Sequence, residues 1–94
     1  MIVTIFDGRD DPAADARFDH WYQQQDGEAF FLNLRTPRQA TLHRAPCPHY
    51  LFGSPVRLAS NRKVCAERMA DLRQWADEAG IATQDCTDCT PRPG

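Results

Sequence analysis

The segment Glu28–Arg35, with the sequence EAFFLNLR, decides the fold of this 94-residue chain. Its side chains alternate, so that Phe30, Leu32 and Leu34 share one face of an extended chain and Phe31 lies on the other. Large apolar residues on both faces are typical of an inner strand. We therefore predict a strand near the centre of a sheet.

The other elements are predicted outward from this strand. A strand over Ile2–Phe6 and a helix from Ala13 to about Gln25 precede it. After it come a paired strand over Gln39–Arg44, a loop over Ala45–Pro55 and a weak strand over Val56–Ala59. A second helix, capped by Ser60 or Asn61, then runs to Ala79 and stops at Gly80, and a last strand covers Ile81–Gln84. The predicted fold is α+β, with two helices on a small, mostly antiparallel sheet in a single domain of residues 1–94, of which residues 90–94 form a frayed tail.

Each helix is expected to bury one face. In the first helix the apolar residues at helical spacing are Ala14, Phe18, Trp21 and Tyr22. In the second they are Cys65, Met69, Leu72, Trp75 or Ala76, and Ala79. This interpretation places Cys65 near the start of the second helix, where the positive end of the helix dipole would stabilise a thiolate.

Composition bounds the class of protein. The chain has 41% hydrophobic and 26% charged residues, typical of a globular domain. Its longest apolar run is far shorter than the ~18 residues of a membrane span, and its first residues lack the basic start of a signal peptide. We therefore expect a cytoplasmic protein without membrane contact, whose thiols stay reduced.

Four cysteines in such a chain indicate a metal site. Cys47, Cys65, Cys86 and Cys89 have the spacing C-x17-C-x20-C-x2-C. The C-x2-C pair can grip a tetrahedral zinc ion from a tight turn. With four protein ligands the zinc would be structural, and it would stabilise a domain too small for a large core.

The ligand set has alternatives. His43 or His49 could replace one sulfur and give a site of three cysteines and one histidine. Alternatively, Cys65 is a buried apolar residue and Cys47 a loop thiol, without metal. A redox function of Cys86 and Cys89 is disfavoured, because prolines follow the pair where a redox motif needs a helix.

Charge is segregated along the chain although the net charge is only −2. Residues 1–28 carry −5 and residues 67–94 carry −3, whereas residues 29–66 contain six basic residues and no acid. An acid-free basic segment predicts a face that binds a phosphate-bearing ligand, with nucleic acid favoured. The residues we expect to bind it are Arg38, His43, Arg44, Arg62 and Lys63.

Two other functions stay open. The chain could be a protein-interaction adaptor that presents its acidic helices to a basic partner, with a purely architectural zinc. It could also be an enzyme with zinc or Cys47 in its active site, although no motif in the sequence specifies a reaction and no catalytic residue is predicted.

Four motifs resemble a group of small, uncharacterised, mainly actinobacterial proteins. These are the aromatic–Leu–Asn strand, Leu42–Cys47 (LHRAPC), the helical Cys65 and the terminal C-x2-C. The resemblance covers residues 18–89. It implies a zinc-binding fold in which His43 and Arg44 lie next to the first cysteine, and it implies no particular activity.

Overall fold

The computed structural model describes residues 1–45 and 62–87 as a five-stranded sheet with one helix on each face. The strands are β1 (Thr4–Phe6), β2 (Ala29–Thr36), β3 (Gln39–Ala45), β4 (Arg62–Ala66) and β5 (Ala82–Asp85). The helices are α1 (Ala14–Gln23) and α2 (Met69–Ala79). The predicted α+β class, the two helices and the mostly antiparallel sheet are confirmed.

The strand order is β1-β4-β2-β3-β5, with β2 in the centre as predicted. β1 pairs with β4, and β2 pairs with both β3 and β4, all antiparallel. Among the strands of residues 1–45 and 62–87, only the pair of β3 and β5 is parallel. Helix α2 carries the chain from β4 across to β5, past the two strands that lie between them.

The face of the sheet under α2 holds the aliphatic core. Alternate residues of the inner strands, among them Leu32, Leu42 and Val64, pack against Leu72 and Ala76 of the helix. The predicted stripe of α2 is buried at Met69, Leu72 and Ala76, whereas Ala79 is exposed. The helix ends where predicted, at Gly80, whose φ of 70° is the left-handed conformation that glycine adopts without strain.

The face under α1 holds an aromatic core. Phe18 is fully buried, and its ring centroid lies 5.2 Å from that of Phe31, 5.9 Å from those of Phe6 and Tyr22, and 6.0 Å from that of Trp21. The predicted apolar face of α1 is therefore confirmed, with Trp21 half-buried at its margin. The contacts of Phe18 with Phe6 and Phe31 are edge-to-face, an arrangement that stabilises a core beyond the area that it buries.

The predicted start of the second helix is wrong. Residues 62–66 form β4 and the helix begins only at Met69. β4 pairs with β1 on one side and with β2 on the other, and its residues from Lys63 to Ala66 are buried. The four-residue spacing of Cys65 and Met69 resembles a helical stripe, but burial on both faces of an inner strand outweighs that local preference.

Some predictions fall on residues outside the described ranges. These are the loop beyond residue 45, the strand over 56–59, the cap at 60 or 61 and the tail over 90–94. Neither helix in the described ranges has the length and apolarity needed to cross a bilayer.

Candidate functional site

The candidate residues lie at the two opposite ends of the sheet. At one end β2 turns into β3, and β4 and β5 begin; we call this the basic end, defined by Arg35, Arg38 and Arg62. At the other end β3 and β5 finish; we call this the cysteine end, defined by His43 and Cys86.

At the cysteine end, His43 and Cys86 are register neighbours. Cys86 donates its backbone N–H to the carbonyl of Leu42 over 2.9 Å, which continues the parallel pairing of β3 and β5 by one residue. Cys86 therefore lies beside His43, with Cα atoms about 5 Å apart and side chains on the same face. Both residues are buried, and the His43 ring stacks on Phe31 with 4.9 Å between centroids.

Cys65 is on the same face but far from Cys86. It pairs with Phe31, and Phe31 pairs with His43, so two strands separate the two thiols. Three strand spacings amount to about 14 Å. Sulfurs bound to one zinc ion lie only about 4 Å apart, given Zn–S bonds of about 2.3 Å.

The environment of Cys65 also differs from the prediction. It lies on a strand rather than at a helix N-terminus, and only 1% of it is exposed. Burial raises the pKa of its thiol. A neutral, buried thiol is a poor nucleophile, although it borders a groove of about 260 Å³ with Thr4 and Trp21.

The remaining candidate ligands Cys47, His49 and Cys89 lie outside the described residues. Within residues 1–45 and 62–87, no three His, Cys, Asp or Glu side chains come together as a metal-binding group. The described chain therefore supplies two adjacent zinc-type donors, His43 and Cys86, at the cysteine end.

The basic end collects arginines from separate segments. Arg35 and Arg38 are exposed at the turn between β2 and β3, and Arg62 begins β4 opposite Leu34 of β2. Arg62 lies two strand spacings, about 10 Å, from β3, and its guanidinium stacks over the Trp75 ring at 5.6 Å. Within the described ranges none of the three forms an ion pair within 4 Å, since the pairs found there use other arginines. Arg62 is nevertheless close enough to Asp7 to add to the effect of Arg9, which lowers the pKa of that carboxyl.

The five predicted ligand-binding residues are thus divided. Arg38 and Arg62 lie at the basic end, whereas His43 and Arg44 lie at the cysteine end on opposite faces of β3. Residues 29–66 do not present one continuous basic face in their described part, because neighbouring residues of a strand point to opposite sides of the sheet.

Lys63 has a different position from the one predicted. Only 1% of it is exposed, its ammonium donates a hydrogen bond to Oδ1 of Asn33, and its Nζ lies 5.8 Å from the centroid of the Phe18 ring. Burial lowers the pKa of Lys63 to about 8, while the nearby Cys65 and Asp15 act in the opposite direction. Lys63 is therefore mostly charged at pH 7 but does not reach the surface.

The register reveals a polar row that the sequence analysis missed. Lys63 pairs with Asn33, Asn33 with Thr41, and Thr41 with Gln84, so four neighbouring strands each contribute a hydrogen-bonding side chain on one face. Asn33 and Thr41 are half-buried and Gln84 is exposed. In the sequence, this row is visible only as single polar residues that occupy alternate positions within the predicted strands.

No protein-family model, curated protein or solved structure matches this chain. The resemblance to small actinobacterial proteins therefore stays a prediction.

Proposed function

We propose that the protein is a zinc-stabilised recognition module that binds a phosphate-bearing ligand, with nucleic acid favoured, at the basic end. The observation that supports it is the gathering of Arg35, Arg38 and Arg62, from two segments of the chain, without ion-pair partners in the described ranges. Arginine is suited to phosphate because its planar donors match the oxygens in pairs.

For the zinc ion we propose His43, Cys47, Cys86 and Cys89 as ligands. The adjacency of His43 and Cys86 supports this set, since imidazole and thiolate are both zinc ligands. Cys47 follows His43 by four residues and Cys89 follows Cys86 by three. The two segments that carry these cysteines therefore both leave the described sheet at its cysteine end. Cys65 is left out because of its distance of about 14 Å from Cys86.

Zinc stoichiometry tests this ligand set. Native mass spectrometry should find one zinc ion in the unaltered chain, and a chelator should abolish its folded circular dichroism, because structural zinc contributes about 10 kcal/mol or more to folding. Cys86→Ala should lose the zinc, whereas the matched variant Cys65→Ala should keep it. Loss of zinc in Cys65→Ala with retention in Cys86→Ala would contradict the assignment.

The ligand is expected to bind by focused charge rather than by a strongly basic surface. The chain as a whole carries −2, and tight, sequence-blind binders of duplex DNA are basic overall. A group of arginines at one end of a sheet suits a few phosphates of a short or single-stranded segment.

Charge reversal tests the site. The double variant Arg35→Glu and Arg38→Glu should weaken binding of a fluorescent single-stranded oligonucleotide at least tenfold and reduce its salt dependence, because each lost phosphate contact removes about 0.7 from the slope of log K against log salt. Arg68→Glu with Arg73→Glu is the control, since it changes the net charge equally at exposed positions, one beyond the end of β4 opposite Arg62 and the other beside Asp85 at the end of β5. Equal losses in the two double variants would refute a local site.

Exposed apolar side chains favour the adaptor as a second candidate. Ile2, which precedes edge strand β1, is 81% exposed, and Ile5, on that strand, is 47% exposed. An apolar contact responds little to salt, whereas phosphate binding weakens steeply. A chain that binds no oligonucleotide at low salt would favour this second function.

A further inference from the structure

The polar row at the basic end has a feature that the arginines do not explain. The ammonium of Lys63, which lies beneath α1, donates a hydrogen bond to Oδ1 of Asn33. Asn33 itself is half-buried. An ammonium has only donors, so the amide oxygen of Asn33 must face it. The amide nitrogen of Asn33 is then directed away from Lys63, and its two N–H donors have a fixed orientation.

The neighbours of Asn33 extend this group of donors across the sheet. Thr41 lies beside Asn33 on β3, and Gln84 lies beside Thr41 on β5. Adjacent strands are about 4.8 Å apart, so the row from Asn33 to Gln84 covers about 10 Å. This length suits a planar ligand with several polar atoms on one edge.

We propose that Asn33, with its amide oriented by Lys63, donates hydrogen bonds to an unpaired base of a single-stranded nucleic acid that lies across β2, β3 and β5. The inference rests on the proposed function, because Arg35 and Arg38 of the basic end hold the phosphates of the same strand, whereas Arg62 lies on the opposite face against Trp75. Arg35 and Arg38 precede β3 in the chain and flank this row.

The surface favours an unpaired base over a duplex. The base edges of duplex DNA lie about 8.5 Å deep in the major groove, and proteins reach them with a projecting helix or ribbon. Asn33 and Thr41 have short side chains on the surface of a sheet and do not project. Single-stranded bases, in contrast, can turn outward and meet such side chains directly.

In this arrangement Lys63 is a positioning residue and does not itself contact the ligand. It holds the amide of Asn33 in one of its two flipped states. Without Lys63 both the oxygen and the nitrogen of that amide could face the base, and the preference for base acceptors over base donors would decline.

The experiment compares binding of labelled ten-nucleotide dT, dC and dA homopolymers at fixed salt. Thymine offers two carbonyl acceptors, whereas adenine and cytosine each offer an amino donor. Asn33→Asp keeps an oxygen for Lys63 but removes both donors, so the ratio of the dT to the dA dissociation constants should rise about tenfold. Gln74→Glu adds the same charge on the exposed surface of α2 and should leave the ratio unchanged.

Two further variants keep the test valid if Asn33→Asp does not fold. Thr41→Val removes the neighbouring hydroxyl at nearly equal volume. It should raise the ratio of the dT to the dA dissociation constants about threefold. Lys63→Met should bring the ratio towards one while the salt slope set by the arginines persists.

The outcomes separate the two proposals. Arginine-dependent binding with ratios that none of these variants alters would overturn the base-reading role and leave the proposed function intact. Binding of no oligonucleotide at low salt would refute both. Equal preference for duplex and single strands of the same sequence would also overturn this inference, and it would leave phosphate binding in place.

Discussion

The two ends of the sheet have opposite chemistry. At the cysteine end, His43 and Cys86 are buried, the His43 ring stacks on Phe31, and the pair brings an imidazole and a thiol together. At the basic end, Arg35 and Arg38 are exposed and offer charge to a ligand. The proposed zinc site and the proposed phosphate site thus lie at opposite ends of one sheet, so a variant at either end is expected to leave the other intact.

The largest expected effect concerns the ammonium buried near the basic end. The pKa of Lys63 is lowered in the folded state to about 8, below its ordinary value of 10.5. The unfolded chain then binds more protons between these pH values, so stability rises as the pH increases from about 8 to 10.5. Such a shift corresponds to about 3 kcal/mol.

Urea unfolding at several pH values checks this effect. Between pH 7 and 10.5 the unaltered chain should gain about 3 kcal/mol of unfolding free energy from the deprotonation of Lys63, and Lys63→Met should gain none of it. The stability of Lys63→Met relative to the unaltered chain should therefore fall by about 3 kcal/mol over this range. A difference that stays constant with pH would show that the burial of Lys63 is not costly.

Core packing and the proposed zinc site at the cysteine end have separable effects. Phe31→Leu removes the ring on which His43 stacks, so zinc affinity should fall about tenfold or more. Phe30→Leu is the matched control, because Phe30 is equally enclosed but faces α2. Both variants should lose about 1–2 kcal/mol of stability, and competition with a chromogenic chelator should find weaker zinc binding only in Phe31→Leu.

The smallest expected difference is between two glycines, one near each end of the sheet. Gly27, next to the cysteine end, has a φ of 101° and donates its N–H to Ala45, whereas Gly80 has a φ of 70° in the left-handed helical region. Gly27→Ala should cost about 2 kcal/mol and Gly80→Ala about 1 kcal/mol, since other residues adopt the second conformation more readily. Thermal melts of the two variants check the order, and a larger loss at Gly80 would reverse it.

Local pattern was sufficient for much of the fold. The alternation over residues 28–35 predicted β2, and the apolar spacing around Phe18 predicted α1 and its buried face. β4 was missed because its five residues become a strand only through pairing with β1 and β2, which are distant in the sequence.

The candidate sites depended still more on register. Cysteine spacing alone could not show that Cys65 lies far from Cys86, because their separation arises from the two strands between them. The row that joins Asn33, Thr41 and Gln84 is likewise a property of three pairings and of no single segment.

The sheet order also has a consequence for how the chain reaches its native state. The pairing of Thr4 with Cys65 joins positions some sixty residues apart, and β5 can add only to a β3 that is already in place. Such distant pairings raise the contact order, which slows folding because long loops close before their contacts form. During synthesis β3, with His43, leaves the ribosome long before β5 and Cys86, so completion of the cysteine end is a late event in folding.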